Sequence, residues 1–373
     1  MANEDYLEFL KLEIIHAIDK GNIEKKRITL KMDKKQYAKI IKDTIIPGSV
    51  TAQELNRIVL PIRQAIEDIK PEKLYRYRTV NDNNIDSLLS DSIYTVTASE
   101  FNDPYDSLIQ YNLDYIEKII MGTANIDFMV QLRELIKSNK LNIDNINLFP
   151  NGELKQASEN LVNADFSDEE EISQTLELFA RNIVAFIRII APVACEQIRN
   201  SITYACFSEN VDSITMWSHY ADYHRGFAIG YSRDVLSYEA LNTINCGLFP
   251  VIYDNIRYDA NSLFAWAIYN ILGIKMIEPD RLANIKAALH KSTDWSYEYE
   301  WMLICTVPKS ERKFPNATPV KIIPNEIYYG TRISKEDKIR LHKIVESKNL
   351  SEYDMDIDSA SNDYKMVIRP AVF

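Results

Sequence analysis

The chain is 373 residues long, 46% hydrophobic and 26% charged, with 43 basic residues against 54 acidic ones and a formal net charge of −11. This composition suits one large globular domain or two, each with a buried core, and no apolar run reaches the length of a membrane-spanning helix. An acidic surface repels phosphate, so any nucleic-acid contact would need a local basic patch, and nine glycines with no G-x-G-x-x-G or G-x-x-x-x-G-K-[ST] argue against a Rossmann or P-loop nucleotide site.

In chain order, Asn3 is placed to cap a first helix whose stripe is Leu7, Leu10, Ile14, Ile15 and Ile18 and which Gly21 ends. The acidic start lacks the basic region of a signal peptide, which points to a cytoplasmic protein. Segment 25–42 carries Lys25, Lys26, Arg27, Lys31, Lys34, Lys35, Lys39 and Lys42. It reads either as a solvated helix face and hairpin or as a contact for a partner or nucleic acid. Thr51 with Glu54 forms a capping box for a helix to about Lys70. Residues 1–70 are therefore expected to be a helical N-terminal region, and 71–373 an α+β domain.

Strands are expected at Leu74–Thr79 and Ser92–Ala98, with a short helix or turn between them and a polar loop, Ser99 to Asp106, after them. About 113–200 reads as a helical insertion, with a Ser167/Glu170 capping box and an interruption at Pro192. Strands return at Thr203–Phe207, Gly226–Tyr231 and Phe249–Tyr253, and two helices follow (about 261–274 and 279–291). The stretch Lys291–Thr306 comes next. In it Tyr297, Tyr299, Trp301 and Leu303 alternate with Glu298 and Glu300, which predicts a strand holding the two carboxylates on one wall, roughly 7 Å apart. The tail reads as strands near Lys321 and Ile327, a helix from Ser334 to about Lys348, and a last strand at Tyr364–Arg369. The class is α+β: a mixed, twisted sheet, split or continuous, with helices before it and inserted into it. Cys195, Cys206, Cys246 and Cys305 lack C-x-x-C pairing and read as reduced core residues, with neither a zinc site nor a disulfide.

Three clusters carry chemistry. In Tyr75-Arg76-Tyr77-Arg78 the arginines share one face of a strand, and guanidinium suits forked contacts with carboxylate or phosphate. Asn102-Asp103-Pro104 with Asp106 is explained by a turn, and no metal site is expected there. Trp217-Ser218-His219-Tyr220 with His224 offers a packed histidine or an acid–base group, but the five-residue spacing of His219 and His224 does not suit zinc.

These clusters, with Lys291 through Trp301 and Pro324-Asn325-Glu326-Ile327-Tyr328-Tyr329-Gly330, resemble a bacterial family catalogued as domain of unknown function 2971 over about 74–348. The chain departs from it at Met302, where that family usually has Arg. The layout is also similar, remotely, to ADP-ribosyltransferases: an early strand with cationic and aromatic residues, a second with small hydroxyls, and a late Glu-x-Glu. That resemblance implies NAD as substrate and a macromolecular acceptor, protein or nucleic acid, in a toxin or antiviral defence setting. It implies that Glu300 stabilises the ribose cation and Glu298 orients or deprotonates the acceptor. Arg76 or Arg78 would hold the diphosphate, Tyr77 or Tyr94 would stack on nicotinamide, and Thr97, Ser99 and Asn102 would lie at the cofactor. Trp217, His219, Tyr220 and His224 are further cleft candidates. The alternative from another class is a non-catalytic module that senses a nucleotide or binds a partner through its tyrosine-rich cleft.

Overall fold

The computed structural model describes residues 32–123, 125–138, 159–165, 170–174, 198–242, 246–271, 280–305 and 316–373, with positions 177, 188, 191–192 and 195–196. The expected first helix, the Ser167 cap and Lys25, Lys26, Arg27 and Lys31 of the basic segment lie outside the described residues. Among the described residues no helix is long and apolar enough to cross a membrane.

The fold is α+β with a mixed, largely antiparallel sheet. Its strands are β1 (Lys73–Arg78), β2 (Ser92–Val96), β3 (Thr203–Ser208), β4 (Phe227–Ser232), β5 (Cys246–Pro250), β6 (Ile252–Tyr253), β7 (His290–Lys291), β8 (Glu300–Cys305), β9 (Ala317–Lys321), β10 (Glu326–Tyr329), β11 (Ser351–Ile357) and β12 (Met366–Pro370). The path runs β12-β11-β10-β4-β1-β3-β2-β9, with β8 pairing β3 and β5, while β6 and β7 form a separate parallel pair. Pairing is uneven along that path. β3 matches β8 over its whole length, from Thr203↔Cys305 to Ser208↔Glu300. It meets β1 only at Tyr75↔Ser208 and β2 only at Val96↔Tyr204. The sheet therefore opens between β1 and β2, and β3 lies at the base of the gap. β3 and β8 are buried almost throughout, which suits their largely apolar runs.

Helices Lys34–Asp43 and Ala52–Ile69 start on capping boxes at Asp33/Gln36 and Thr51/Glu54, which satisfy free N–H groups of the first turn. Their apolar residues Tyr37, Ile41, Ile62 and Ile66 join one core with Phe207, Phe227, Trp301 and Leu303 of the sheet. The described parts of the insertion build a second core around Ile116, Phe128, Leu132 and Phe264. A third packs Tyr77, Trp217 and Tyr328 on the sheet face away from the N-terminal helices. Strand β11, parallel to β10, follows helix Lys335–Lys348 closely and was not foreseen, although Tyr353, Met355 and Ile357 alternate with Glu352, Asp354 and Asp356 along it.

The expectation for two of the cysteines is overturned. Cys246 and Cys305 occupy paired positions of β5 and β8 and form a disulfide, whereas Cys195 and Cys206 are free thiols. Spacing could not reveal the pair, because its partners are 59 residues apart and meet only through strand register. Closing a loop of that size stabilises the folded chain by about 4 kcal/mol in the chain-entropy account. Dithiothreitol is therefore expected to lower the calorimetric melting midpoint by several degrees, and no shift in an alkylation-verified reduced sample would remove the staple from the stability account.

The turn Ala221–Gly226 locks β4 to the rest of the sheet. Asp222, Tyr223 and His224 all have positive φ. A Cβ on Gly226 would sit 2.1 Å from the Arg78 carbonyl oxygen, and one on Gly330 would sit 2.2 Å from that of His224. Both neighbours are backbone, so neither can swing aside. Gly226→Ala is expected to cost about 3 kcal/mol or more, measured by urea unfolding; a loss under about 1 kcal/mol would mean the turn relaxes freely.

Candidate functional site

The stretch from Lys291 to Glu300 does not form the strand that its alternation predicts. Thr293–Glu298 is a 3₁₀ helix capped by Ser292, Tyr299 sits in the left-handed region at φ 46°, and β8 begins only at Glu300. The competing signal was the Ser292 cap, whose hydroxyl accepts the Asp294 N–H and starts a tight turn. Tyr297 and Tyr299 consequently share no strand face with Trp301. The two carboxylates nonetheless converge, because the turn at Tyr299 folds them toward one cation.

That cation is Lys291 of β7. Its Nζ donates to Glu298 Oε2 at 2.7 Å and to Glu300 Oε2 at 2.8 Å, and all three side chains are buried. The Lys291 ammonium also lies 4.9 Å from the centre of the Trp295 ring. Tyr220 donates its hydroxyl to Glu298 Oε1 at 2.5 Å, and the Glu298 carbonyl accepts from Ser208 Oγ at 2.7 Å. The Glu300 N–H donates to the Tyr253 hydroxyl at 2.8 Å, which in turn faces Glu300 Oε2 at 3.4 Å. One ammonium thus stands between two buried carboxylates.

The electrostatics follow from that imbalance. Burial pushes the Glu300 carboxyl up to about 8; Lys291 opposes the rise and the Glu298 charge adds to it. Burial alone would depress Lys291, but Glu300, Cys206, Asp106 and Glu298 outweigh it and hold the ammonium protonated. Asp106 is raised to about 6 by burial, against the pull of Lys291. Sequence reasoning assigned Asp106 to a turn. It does sit in that turn: its N–H donates to the Asp103 carbonyl at 3.1 Å, and Asp103 Oδ1 accepts the Tyr105 N–H at 2.8 Å. Its side chain is also a buried acid in the field of Lys291.

Glu300 opens onto the gap in the sheet, a cleft of about 550 Å³. Its walls bring together Arg76, Tyr77 and Arg78 of β1, Tyr94 of β2, Asn102, and His219 and Tyr220, with Lys291 beside Glu300. Tyr77 is tied down by its hydroxyl, which donates to the Asn210 carbonyl at 2.5 Å, whereas Tyr94 is substantially exposed. His219 Nδ1 lies 3.1 Å from the Tyr297 hydroxyl.

Other candidates fall elsewhere. Glu298 is 1% exposed, is held by Lys291 and Tyr220, and is not on the cleft wall. Trp217 is fully buried and gives its indole N–H to the Val211 carbonyl. His224 stacks on Trp217 and meets Ser218 Oγ at 3.1 Å; burial, aided by Arg332, lowers its pKa and keeps the ring neutral. The packed-histidine alternative describes it. Thr97 is fully buried, and its hydroxyl meets that of Ser99 at 2.9 Å; Ser99 in turn donates to Asn200 Oδ1 at 3.0 Å. Neither of these two hydroxyl residues lines the cleft. In the described part of the basic segment, Lys34 pairs with Glu209 at 2.6 Å and Lys42 with Asp254 at 2.7 Å, which leaves Lys35 and Lys39 exposed.

Lys291 is the central residue that sequence reasoning missed as a site member. The available signal was a lysine opening a run of aromatics and two glutamates, with no other cation inside it. No curated protein and no solved structure matches the chain, and the likeness to ADP-ribosyltransferases finds no support there. What does match, over residues 216–302, is the model of a family described as protein of unknown function (DUF2971), from the helix bearing His219 and Tyr220 to the start of the strand bearing Glu300.

Proposed function

We propose that this chain binds NAD in the cleft between β1 and β2 and transfers ADP-ribose to a macromolecular acceptor, protein or nucleic acid. One observation carries the reading: the Glu300 carboxyl shares a single cleft with the Arg76 and Arg78 guanidinium groups. Arginine forks suit a diphosphate, and a fixed carboxylate suits the sugar cation formed when a glycosidic bond breaks. The bond between ribose C1′ and the nicotinamide nitrogen breaks, and its electron pair leaves with nicotinamide. The acceptor nucleophile then bonds to C1′ and releases a proton.

Within this reading Glu300 faces the ribose in its ionised form, which an approaching cationic nicotinamide ribose favours. Glu298 is a positioning residue, since its carboxylate is occupied by Lys291 and Tyr220. Tyr94, exposed at the mouth, is available to stack on a ring. The engagement of both glutamates by Lys291 also suits a cleft that binds a nucleotide without cleaving it.

Purified protein incubated with cell extract and NAD labelled in either half separates these readings. Transfer requires adenylate label on protein, DNA or RNA together with free nicotinamide. Neither product, with NAD binding retained in calorimetry, would overturn the transferase and leave the binding module.

A further inference from the structure

A second chamber of about 590 Å³ adjoins the cleft, and the two share Arg76, Arg78 and Tyr94 as common wall. Its other walls are helix Asp82–Leu89 and the turn after it, which bring Asn83, Asn84 and Ser87, over a floor of Ile229 and Tyr231 from β4. Arg76 pairs with Ile229 across β1 and β4, so the arginine rises from that floor at the junction of the two spaces.

Several described arginines find an acidic partner among the described residues, and Arg76 and Arg78 do not. Arg225, Arg233, Arg340 and Arg369 each reach a carboxylate. Among the described residues no carboxylate comes within ion-pair distance of Arg76 or Arg78, although the chain carries eleven more negative than positive charges. The acids on the chamber wall are Asp86 and Asp91, and Asp91 is held by Lys348 at 2.7 Å. Arg76 Nε is buried with no hydrogen-bond partner, and the Arg76 group lies 5.6 Å from the centre of the Phe207 ring. Arg78 gives Nη1 to the Tyr77 carbonyl at 2.8 Å. A buried guanidinium Nε without an acceptor, as in Arg76, costs stability unless a ligand draws the group into use.

We infer that the diphosphate of a nucleoside-diphosphate ligand lies across Arg76 and Arg78, and that the second chamber receives its nucleoside, with Asn83, Asn84 and Ser87 meeting sugar hydroxyls and base edges. The inference deepens the NAD reading and rests on it for the identity of the reacting half. The substrate class is then set by the nucleoside diphosphate, with the leaving group on the Glu300 side. ADP alone occupies the chamber and competes with the substrate.

Calorimetry with ADP and with inorganic pyrophosphate tests this. Wild type is expected to bind both. The double variant Arg76→Met/Arg78→Met is expected to lose both at least tenfold, and the Lys/Lys pair to fall between, since it keeps the charge without the fork. Ser87→Trp, which fills the chamber away from the arginines, is expected to weaken ADP at least tenfold and leave pyrophosphate within about twofold. ADP binding untouched by Ser87→Trp, or pyrophosphate binding untouched by loss of both arginines, overturns the inference. So does an absence of ADP binding in a protein that cleaves NAD. ADP bound as predicted with NAD left intact overturns the transferase reading and leaves this one standing.

Discussion

Glu300→Gln is expected to reduce nicotinamide release from NAD at least 10²-fold, because a carboxylate facing the developing ribose cation contributes about 3 kcal/mol to the transition state. The substitution keeps the side-chain shape and an acceptor for Lys291, so circular dichroism and melting should change little. The wild-type pH profile carries a second expectation. Burial raises the Glu300 carboxyl to about 8, so the ionised form gains ground only as pH climbs toward that value. The ratio kcat/KM, which reports the free enzyme, should therefore rise about tenfold per unit below pH 8 and level off above it. Full turnover in Glu300→Gln, or a profile flat from pH 6 to 9, would remove Glu300 from the chemistry.

Much of the scaffold was written locally. The capping box at Thr51, the Ser334 cap, the alternation in β1 and the apolar run of β3 each satisfy their own backbone or bury their own face, so residues a few positions apart decide them. The cleft was legible in part for the same reason: Arg76 and Arg78 share a strand face by period two, and Tyr94 lies on the next strand. What could not be read depends on distant residues. The Cys246–Cys305 bridge comes from the register of β5 on β8, and the charge that acts on the buried Asp106 is that of Lys291, 185 positions later. Alternation misled at Tyr297 and Tyr299 because a Ser cap and one left-handed residue supply a turn that the hydrophobic pattern cannot register. Met302, where the resembling family usually has Arg, is fully buried between Cys206 and Phe249 in the β3–β8–β5 register, so the departure lies in the core rather than on the cleft wall.

Lys291→Met is expected to be the most destabilising single change at the site, at about 3–5 kcal/mol by urea unfolding near neutral pH. The methionine fills the space, so packing alone predicts almost nothing; the loss comes from two carboxylates left in the interior without their shared cation. Its pH dependence gives the cause away. Without Lys291 the folded Glu300 carboxyl holds its proton to still higher pH, while that of the unfolded chain ionises near 4.3. Between those values the folded state binds more protons than the unfolded one, so the variant's stability must fall as pH rises from about 5 to 8. Replacing the set together, as Lys291→Met/Glu298→Gln/Glu300→Gln, removes these charges and should recover most of the loss and flatten the slope to the part that the buried Asp106 contributes. A Lys291→Met protein equally stable at pH 5 and pH 8 would mean that water already reaches these carboxylates, and with it the low-dielectric setting on which the Glu300 chemistry relies would be gone.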